Sequence, residues 1–422
     1  MHTLMPYGKG TVGLEISDDR YLGEITSGLH HYKANKSQGI LVSQALLNPV
    51  NSLRLRELAT RKQNVVLIAS DHTRPVPSKI IIPLMLKEIR EGNPSANITI
   101  LIATGCHRDM TGAELEEKLG TEMVKKEKVV IHDCDSPDMV YLGQLPSGGR
   151  LLVNKIAVNA DLLVAEGFIE PHFFAGFSGG RKSLMPGIAA RETVLYNHNA
   201  EFIAHPNART GILENNPIHT DMVFAARAAG LSFICNVVIN GNKEIVYAVA
   251  GDCEQAHLAG CSFIREKCQA SPIPADIVIV SNGGYPLDQN IYQAVKGMTA
   301  AEATVKKGGF IIMLAKSEDG CGAPEFQKTF SEEKDLNRLI STIIATPREA
   351  TRVDQWQSQI FARVLKHCQV IYVSDVSNDI VRDMHMIPAK SLEDALGVAE
   401  QLLDNKQASI VTIPDGVSVI VH

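Results

Sequence analysis

The sequence lacks several features by which common protein classes are recognised. Its eight cysteines are scattered without a CxxC pair, so neither a zinc ribbon nor a disulfide framework is indicated. Residues 1–13 lack the basic segment and apolar run of a signal peptide, and no apolar stretch is long enough to span a bilayer. We therefore expect a cytoplasmic protein that makes no contact with a membrane.

An excess of positive charge is also missing. The formal net charge is −6 and no long run of one sign occurs, which argues against nucleic-acid binding, because neutralising phosphates requires concentrated Lys and Arg. Hydrophobic residues make up 45% and charged residues 21% of the chain, as in soluble globular proteins. A chain of 422 residues is expected to form two domains.

The clearest structural unit is a predicted strand–helix–strand segment. Residues 64–70 are apolar and indicate a buried parallel strand, and Ser78 is a suitable N-cap for a helix over residues 79–91. A second strand is predicted over residues 97–103. Further along, Thr111 and Glu114 have the spacing of a capping box at the start of another helix.

Three polar loops each follow a predicted strand directly. They cover residues 71–75, 104–109 and 167–182, the last after a strand predicted over residues 161–166. Ligands of open α/β sheets bind outside the carboxyl ends of the strands. We therefore expect the three loops to converge on one site.

A second α/β domain is predicted after the proline-rich linker at residues 271–274. We expect domains over residues 1–270 and 275–422, each with a largely parallel sheet flanked by helices, and an active site in the cleft between them. The Asn240-Gly241 pair predicts a hairpin at the end of the first domain. In the second domain, helices are predicted over residues 289–305 and 354–367.

The loop that contains Lys182 combines small residues with two cations. The segment Phe177-Ser178-Gly179-Gly180-Arg181-Lys182-Ser183 has the composition of a phosphate-binding loop, although it is not a Walker A motif. A flexible glycine turn with solvated cations is the alternative. A lysine packed against glycines and Phe177 could also act as a nucleophile.

Three histidines lie in or near these loops. His107 and His172 follow separate strands and are suited to acid–base catalysis from two sides of a cleft, although a histidine taken alone is more often an ordinary hydrogen-bonded one. His198 is a candidate metal ligand. A zinc site of His107, His172 and His198 remains an alternative, but no paired-ligand spacing supports it.

Other polar residues offer contacts for an anionic ligand. Asp71 could bind a ribose hydroxyl and Arg74 a phosphate or carboxylate, although no GxGxxG motif follows a strand. Gln293 and Lys296 share a helix face near Tyr292, which indicates either ligand contacts or a solvated polar stripe. Trp356, the single tryptophan, is a candidate for the core or for a lid.

Six segments in one order resemble the lactate racemase family, whose members use the nickel pincer nucleotide, a modified pyridinium mononucleotide that binds nickel through carbon and two sulfurs. The segments are Asp71-His72-Thr73-Arg74-Pro75, Thr104-Gly105-Cys106-His107, Pro171-His172-Phe173, Ser178-Gly179-Gly180-Arg181-Lys182, Asn197-His198-Asn199 and Tyr292-Gln293-Ala294-Val295-Lys296. The resemblance spans nearly the whole chain, and six motifs in order are highly specific.

The resemblance implies that Lys182 binds the cofactor covalently and that His198 is the one protein ligand of nickel. A cofactor with three donor atoms of its own needs only one from the protein, which fits the missing metal motif. The remaining roles that it implies are proton exchange by His107 and His172, nucleotide binding by Asp71, His72, Thr73 and Arg74, and substrate binding by Tyr292, Gln293, Lys296 and Trp356.

The implied reaction is racemisation or epimerisation of a 2-hydroxy acid by reversible hydride transfer through a 2-keto acid. Lactate is the default substrate, and longer or polyhydroxylated 2-hydroxy acids are equally compatible with the resemblance. The implied partners are the cofactor biosynthesis proteins. Two other functions stay open, namely a three-histidine metallohydrolase and a non-enzymatic anion-binding protein.

Overall fold

The computed structural model describes residues 1–422 and divides the chain into two compact units. We call Gly28–His198 together with His205–Lys267 the N-terminal unit. The C-terminal unit consists of Met1–Ser27, Asn199–Ala204 and Cys268–His422. None of the helices combines the length and the apolar character that are needed to cross a membrane.

The strands are numbered in chain order. They are β1 (His2–Tyr7), β2 (Gly10–Glu15), β3 (Tyr21–Glu24), β4 (Asn64–Ser70), β5 (Asn97–Ala103), β6 (Lys128–Ile131), β7 (Met139–Gln144), β8 (Arg150–Asn154), β9 (Leu162–Phe168), β10 (Pro171–His172), β11 (Gly176–Phe177), β12 (Leu231–Ile239), β13 (Ile245–Gly251), β14 (Gln269–Ala270), β15 (Ala275–Ser281), β16 (Val305–Leu314), β17 (Gln369–Val373), β18 (Ile387–Ala389), β19 (Ile410–Ile413) and β20 (Ile420–Val421).

The helices are numbered in the same way, and two short 3₁₀ helices cover Gly180–Ser183 and Arg348–Ala350. The α-helices are α1 (Gln38–Leu47), α2 (Leu55–Leu58), α3 (Ser78–Gly92), α4 (Gly112–Leu119), α5 (Thr121–Lys126), α6 (Lys155–Val158), α7 (Arg191–Asn197), α8 (Ala200–Ala204), α9 (Pro217–Ala228), α10 (Gln255–Cys268), α11 (Ile291–Glu302), α12 (Pro324–Glu332), α13 (Leu336–Ile344), α14 (Gln355–His367), α15 (Asn378–Asp383) and α16 (Leu392–Leu403).

The N-terminal unit is built on a six-stranded sheet in the order β13-β12-β9-β4-β5-β6. All neighbours are parallel except β12 and β13, which form an antiparallel hairpin. The central strands β4 and β9 are almost wholly buried because helices cover a parallel sheet on its faces. Helix α3 packs on this core through Ile81, Met85 and Ile89, whose four-residue spacing places them on one face.

The C-terminal unit contains a second six-stranded sheet, in the order β18-β17-β16-β15-β19-β3, in which every pair of neighbours is parallel. Its edge strand β3 comes from the start of the chain. Arg20, just before β3, forms an ion pair of 2.7 Å with Glu400, and Met5 of the β1–β2 hairpin is fully buried in the same core. These contacts assign Met1–Ser27 to the C-terminal unit, a division that differs from the predicted boundary of 1–270.

Most predicted elements agree with the structure to within a few residues. The capping box of Thr111 and Glu114 and the hairpin at Asn240-Gly241 are both present. Ser78, however, is the first residue of α3 and not its N-cap. Its hydroxyl donates to the buried carboxylate of Glu166 at 3.2 Å, so tertiary contact replaces the expected capping bond.

The predicted helix over residues 289–305 was too long at both ends. Helix α11 covers Ile291–Glu302, and Asn290 is its N-cap because the Asn290 side chain accepts the backbone N–H of Gln293 at 2.9 Å. At its other end the chain turns directly into β16, which begins at Val305. The three residues after Val305 are exposed and carry no strand pattern, so the sequence does not mark this boundary.

Candidate active site

The three loops singled out in the sequence lie at the carboxyl ends of β4, β5 and β9. The first and second loops contact each other, and the second also contacts the chain just after the third. The Asp71 carboxylate after β4 contacts His107 after β5, and the N–H of Gly105 donates to the carbonyl of Gly187, beyond the Lys182 loop, at 3.0 Å. The convergence that was expected from the strand positions is therefore present in the N-terminal unit.

Asp71 and His107 form a hydrogen-bonded pair. His107 Nδ1 lies 2.7 Å from Asp71 Oδ2, while Asp71 Oδ1 accepts the hydroxyl of Thr73 at 2.7 Å. Burial raises the pKa of the Asp71 carboxyl, but the bonds from His107 and Thr73 and the charge of Arg74 outweigh burial, so the pKa lies below its ordinary value. Asp71 is thus an acceptor, and Nδ1 of His107 carries the proton.

The remaining side chains of the first loop surround this pair. Arg74 donates to the carbonyl and hydroxyl of Thr73 at 3.4 and 3.2 Å, and its own carbonyl accepts the Lys118 ammonium at 2.7 Å. His72 Nδ1 is buried and has no hydrogen-bond partner in the protein, while Nε2 is 4.0 Å from Glu114. The loop therefore offers an unsatisfied imidazole nitrogen and a guanidinium that forms no ion pair.

His172 is held in a different way from His107. It ends the short strand β10, whose partner β11 returns the chain at Gly176, and its Nδ1 accepts the backbone N–H of Ala175 at 3.3 Å. Nδ1 therefore carries no proton in the neutral ring, and the proton is at Nε2. The two candidate catalytic histidines are thus fixed in opposite tautomers.

The ring of Phe174 joins the other side chains of the site. Its centroid is 4.5 Å from the His172 ring, 5.1 Å from the His198 ring and 5.7 Å from Lys182 Nζ. The Phe174 side chain is itself buried. This aromatic contact brings three residues that are separate in sequence into one group, and it was not singled out in the sequence because a phenylalanine carries no chemical signal of its own.

His198 is the residue that caps helix α7, and its N–H donates to the carbonyl of Val194 at 3.0 Å. Burial, and then the charge of Lys182, lower the pKa of His198 to about 3. The ring is consequently neutral at physiological pH, which is the form that binds a metal. Lys182 itself lies in the 3₁₀ helix Gly180–Ser183, one residue after the buried Arg181.

The alternative zinc site of three histidines is not formed. In the structure, the group of potential ligands whose donor atoms lie within 4.8 Å of one another is Asp133, Cys134 and Asp135, and it contains no histidine. Within that group, the Asp135 carboxylate already accepts hydrogen bonds from Nε and Nη2 of Arg191. The geometry therefore gives no support to a three-histidine metallohydrolase.

The predicted substrate residues lie in the C-terminal unit, on two helices that pack together. Tyr292, Gln293 and Lys296 belong to α11 and Trp356 to α14. The Tyr292 hydroxyl donates to Asp354 Oδ1 at 2.7 Å, and Gln293 Oε1 is buried with no partner in the protein. An unsatisfied buried acceptor is costly, so Gln293 is suited to accept a donor from a ligand.

Asp354 is a residue that the sequence did not reveal. It precedes α14 with a φ of 61°, a left-handed conformation that is uncommon outside glycine. Its side chain does not cap the helix but binds Tyr292, and the Gln357 side chain donates to the Tyr292 carbonyl. The start of α14 thus holds Tyr292 at both its main chain and its hydroxyl.

The chain matches two family models that together cover most of its length. Residues 7–211 match the lactate racemase N-terminal domain, and residues 270–421 match the lactate racemase C-terminal domain. A lactate racemase from Thermoanaerobacterium thermosaccharolyticum is 54% identical over 420 residues, covering 99% of this chain and 98% of the relative. A lactate racemase from Lactiplantibacillus plantarum is 51% identical over 419 residues, covering 99% of both chains.

Solved structures agree with these matches. The lactate racemase apoprotein from T. thermosaccharolyticum superimposes with a TM-score of 0.97 at 52% identity and covers all of both chains. A Thermotoga maritima protein covers 91% of this chain and 97% of its own at a TM-score of 0.64. At 18% identity the second likeness concerns the fold alone.

The Asp71–His107 pair leads to a prediction about acidity. Replacing His107 by Ala removes the largest influence that lowers the pKa of Asp71, and burial then acts in the opposite direction. We expect that pKa to rise above its value in the unmodified protein. Carbon-13 NMR of labelled aspartate side chains, assigned with Asp71→Asn, measures it, and the exposed His31→Ala is the control. An unchanged Asp71 titration in His107→Ala would contradict the pairing.

The contact between Tyr292 and Asp354 can be tested by two substitutions. Asp354→Asn keeps an oxygen acceptor and tolerates the left-handed backbone, whereas Asp354→Ala removes the acceptor. A hydrogen bond to a charged group is worth about 1.5–3 kcal/mol. We expect Asp354→Ala to lower the free energy of unfolding by about that amount, and Asp354→Asn by clearly less, in urea denaturation. Equal losses in both variants would show that the hydroxyl contact contributes nothing.

Proposed function

The chain belongs to the lactate racemase family, and on that premise we propose that it interconverts the two enantiomers of lactate at the loops that follow β4, β5 and β9. Members of this family are isomerases, which excludes the non-enzymatic anion-binding alternative. The observation that carries the proposal is the Asp71–His107 pair at the point where the loops converge.

The proposed acid–base roles use Nε2 of the two histidines. Asp71 accepts the Nδ1 proton of His107, so the neutral His107 ring has a lone pair at Nε2 and can accept a proton. His172 can donate a proton from Nε2 when it is an imidazolium, and it is then left as a neutral ring. A neutral His107 and a protonated His172 therefore provide a base and an acid, as proton transfer to and from the substrate hydroxyl requires.

In the proposed reaction His107 takes the hydroxyl proton of one enantiomer, and the resulting imidazolium is stabilised by the Asp71 carboxylate. His172, as an imidazolium, returns a proton to the same oxygen once the carbonyl has presented its other face, and it becomes neutral. His107 is then protonated and His172 is neutral, so the two histidines have exchanged protonation states, which is the arrangement that the reverse reaction needs. Neither direction is favoured, because the products are mirror images.

The residues of the N-terminal unit fit the nickel pincer nucleotide. His198 offers a buried neutral imidazole as the nickel ligand, and Lys182 lies close enough to lower the pKa of that imidazole. His72 Nδ1 and the guanidinium of Arg74 are available to a nucleotide at the first loop. When bound, this cofactor supplies a pyridinium ring that can accept the hydride from C2 of the substrate.

The substrate carboxylate is proposed to bind Lys296, with Gln293 and Tyr292 beside it on the same helix. An ammonium offsets the carboxylate charge throughout the reaction, and the buried Gln293 Oε1 can accept a hydroxyl proton as a hydrogen bond. Trp356 on α14 would pack against the carbon chain of the substrate. Longer or polyhydroxylated 2-hydroxy acids would need more space than lactate, so a substrate panel distinguishes them.

Loss of optical purity tests the proposed reaction. L-Lactate incubated with enzyme that was coexpressed with the cofactor biosynthesis proteins should become racemic, as measured by chiral chromatography. Asp71→Asn should slow the reaction by about 100-fold or more, because the histidine loses its charged partner. Asp109→Asn removes an exposed carboxylate on the loop that carries His107, and this variant should react at the wild-type rate. Malate, 2-hydroxyglutarate, phenyllactate and gluconate are tested in the same way. If any of them reacts faster than lactate, lactate is not the preferred substrate.

Intact-protein mass spectrometry tests the attachment of the cofactor. The wild-type protein from the same coexpression should gain the mass of a covalent adduct, and Lys182→Ala should not, since the proposed attachment atom is then missing. Lys155→Ala removes an exposed lysine elsewhere in the same unit and should keep the adduct. The same adduct on wild-type protein and on Lys182→Ala would rule out Lys182 as its site.

A further inference from the structure

Arg181 is among the largest fully buried side chains of the protein, with 2% of its surface exposed. Its guanidinium donates from Nη1 to the carbonyls of Phe177 at 2.9 Å and Gly179 at 3.2 Å, and from Nη2 to that of Ala175 at 2.8 Å. Nε donates to His219 Nδ1 at 3.0 Å. Every second carbonyl over residues 175–179, in the loop that leads to Lys182, thus accepts a hydrogen bond from one planar group.

No carboxylate accompanies this buried charge. Arg181 takes part in no ion pair, and burial lowers its pKa to about 10, which leaves it protonated at neutral pH. Burial, and then the Arg181 charge, lower the pKa of His219 to about 3, and the same two causes hold the pKa of His257 well below its ordinary value. The guanidinium is therefore the one charge in a cluster of neutral groups.

His257 is the other histidine in contact with the Arg181 guanidinium. Its Nε2 lies 2.9 Å from the carbonyl of Ser178 and 2.9 Å from Arg181 Nη1. Because both protons of Nη1 go to backbone carbonyls, the consistent assignment is that His257 Nε2 donates to Ser178 and only packs against the guanidinium. The carbonyls of residues 175, 177, 178 and 179 then each accept a hydrogen bond from Arg181 or His257.

Three glycines of this loop have φ values in the left-handed region. Gly176, Gly179 and Gly180 have positive φ values of 76°, 75° and 54°. A Cβ at Gly180 would lie 2.6 Å from the ring of His257, and the N–H of Gly180 donates to Asn236 Oδ1 at 2.7 Å. Glycine lowers the strain of such a loop but raises its conformational freedom, so the shape depends on these hydrogen bonds.

A buried charge without a counter-ion is an expensive way to stabilise a protein, because apolar residues of similar volume cost less. Arg181 donates four hydrogen bonds with fixed directions, and an apolar residue would donate none. We propose that Arg181 is a positioning residue, which holds the backbone of residues 175–182 in the one shape that presents Lys182 for attachment of the cofactor. This inference rests on the proposed role of Lys182.

Two substitutions separate the geometry of the guanidinium from its charge and volume. Arg181→Lys keeps the charge but lacks the planar fork that reaches three carbonyls, and Arg181→Met keeps only the volume. Arg265→Met is the matched control, because Arg265 packs over Phe177 at 5.6 Å and donates to a single carbonyl, that of Gly211, at 3.2 Å. Each variant is prepared without the cofactor and from coexpression with the biosynthesis proteins.

The first measurement is amide hydrogen exchange of the cofactor-free proteins. In Arg181→Lys and Arg181→Met, exchange in residues 176–183 should rise by about tenfold or more, while exchange in β4 stays at the wild-type rate. The second measurement is the fraction of chains with the adduct by intact-protein mass spectrometry, which should fall by about tenfold. Arg265→Met should match the wild-type protein in both measurements.

Wild-type exchange at these amides, or a wild-type adduct fraction, in folded Arg181→Lys would overturn the proposal. If neither Arg181 variant folds, His219→Ala decides, because it removes one acceptor of the guanidinium and should raise exchange in the same amides by a smaller factor. Wild-type exchange in that variant would equally overturn it. A wild-type protein without any adduct would refute the role of Lys182, and the exchange data would then still report whether Arg181 holds the loop.

Discussion

The parallel pairing of β4 with β5 on one side and β9 on the other is the constraint on which the site depends. Parallel neighbours end at the same edge of a sheet, so the loops that follow them must share one region of space. The apolar interiors of the strands exclude water from both faces and fix the register. The polar loops therefore lie close together, although more than a hundred positions separate the first residue from the last. They cover residues 71–75, 104–109 and 167–182.

Charge in this region is controlled by burial together with local hydrogen bonds and neighbouring charges. Asp71 stays ionised although it is buried, because His107, Thr73 and Arg74 outweigh the cost of desolvation. Arg181 stays charged in the interior because backbone carbonyls accept its protons. His198 stays neutral because burial and the charge of Lys182 both lower its pKa. The same physical rule, applied with different neighbours, leaves Asp71 and Arg181 charged and His198 neutral.

Most of the fold could be predicted because its strands are strongly apolar and bounded by polar turns. β4 and β5 were recovered with their observed bounds, and the Thr111 capping box was identified from its spacing alone. The assignment of Met1–Ser27 to the C-terminal unit could not be predicted in this way. The short strand β3 carries little signal of its own, and only its long-range pairing with β19 gives it a place.

For the site, the sequence by itself determined the family and the residue types, because six motifs with histidine, lysine and glycine at set positions, in one order, are highly specific. What only the tertiary structure decided is how these residues act on one another. The tautomers of His107 and His172 depend on Asp71 and on the Ala175 backbone, and the burial of Arg181 depends on two helices far along the chain. Tautomer, pKa and burial are properties of neighbours in space, and the order of residues does not contain them.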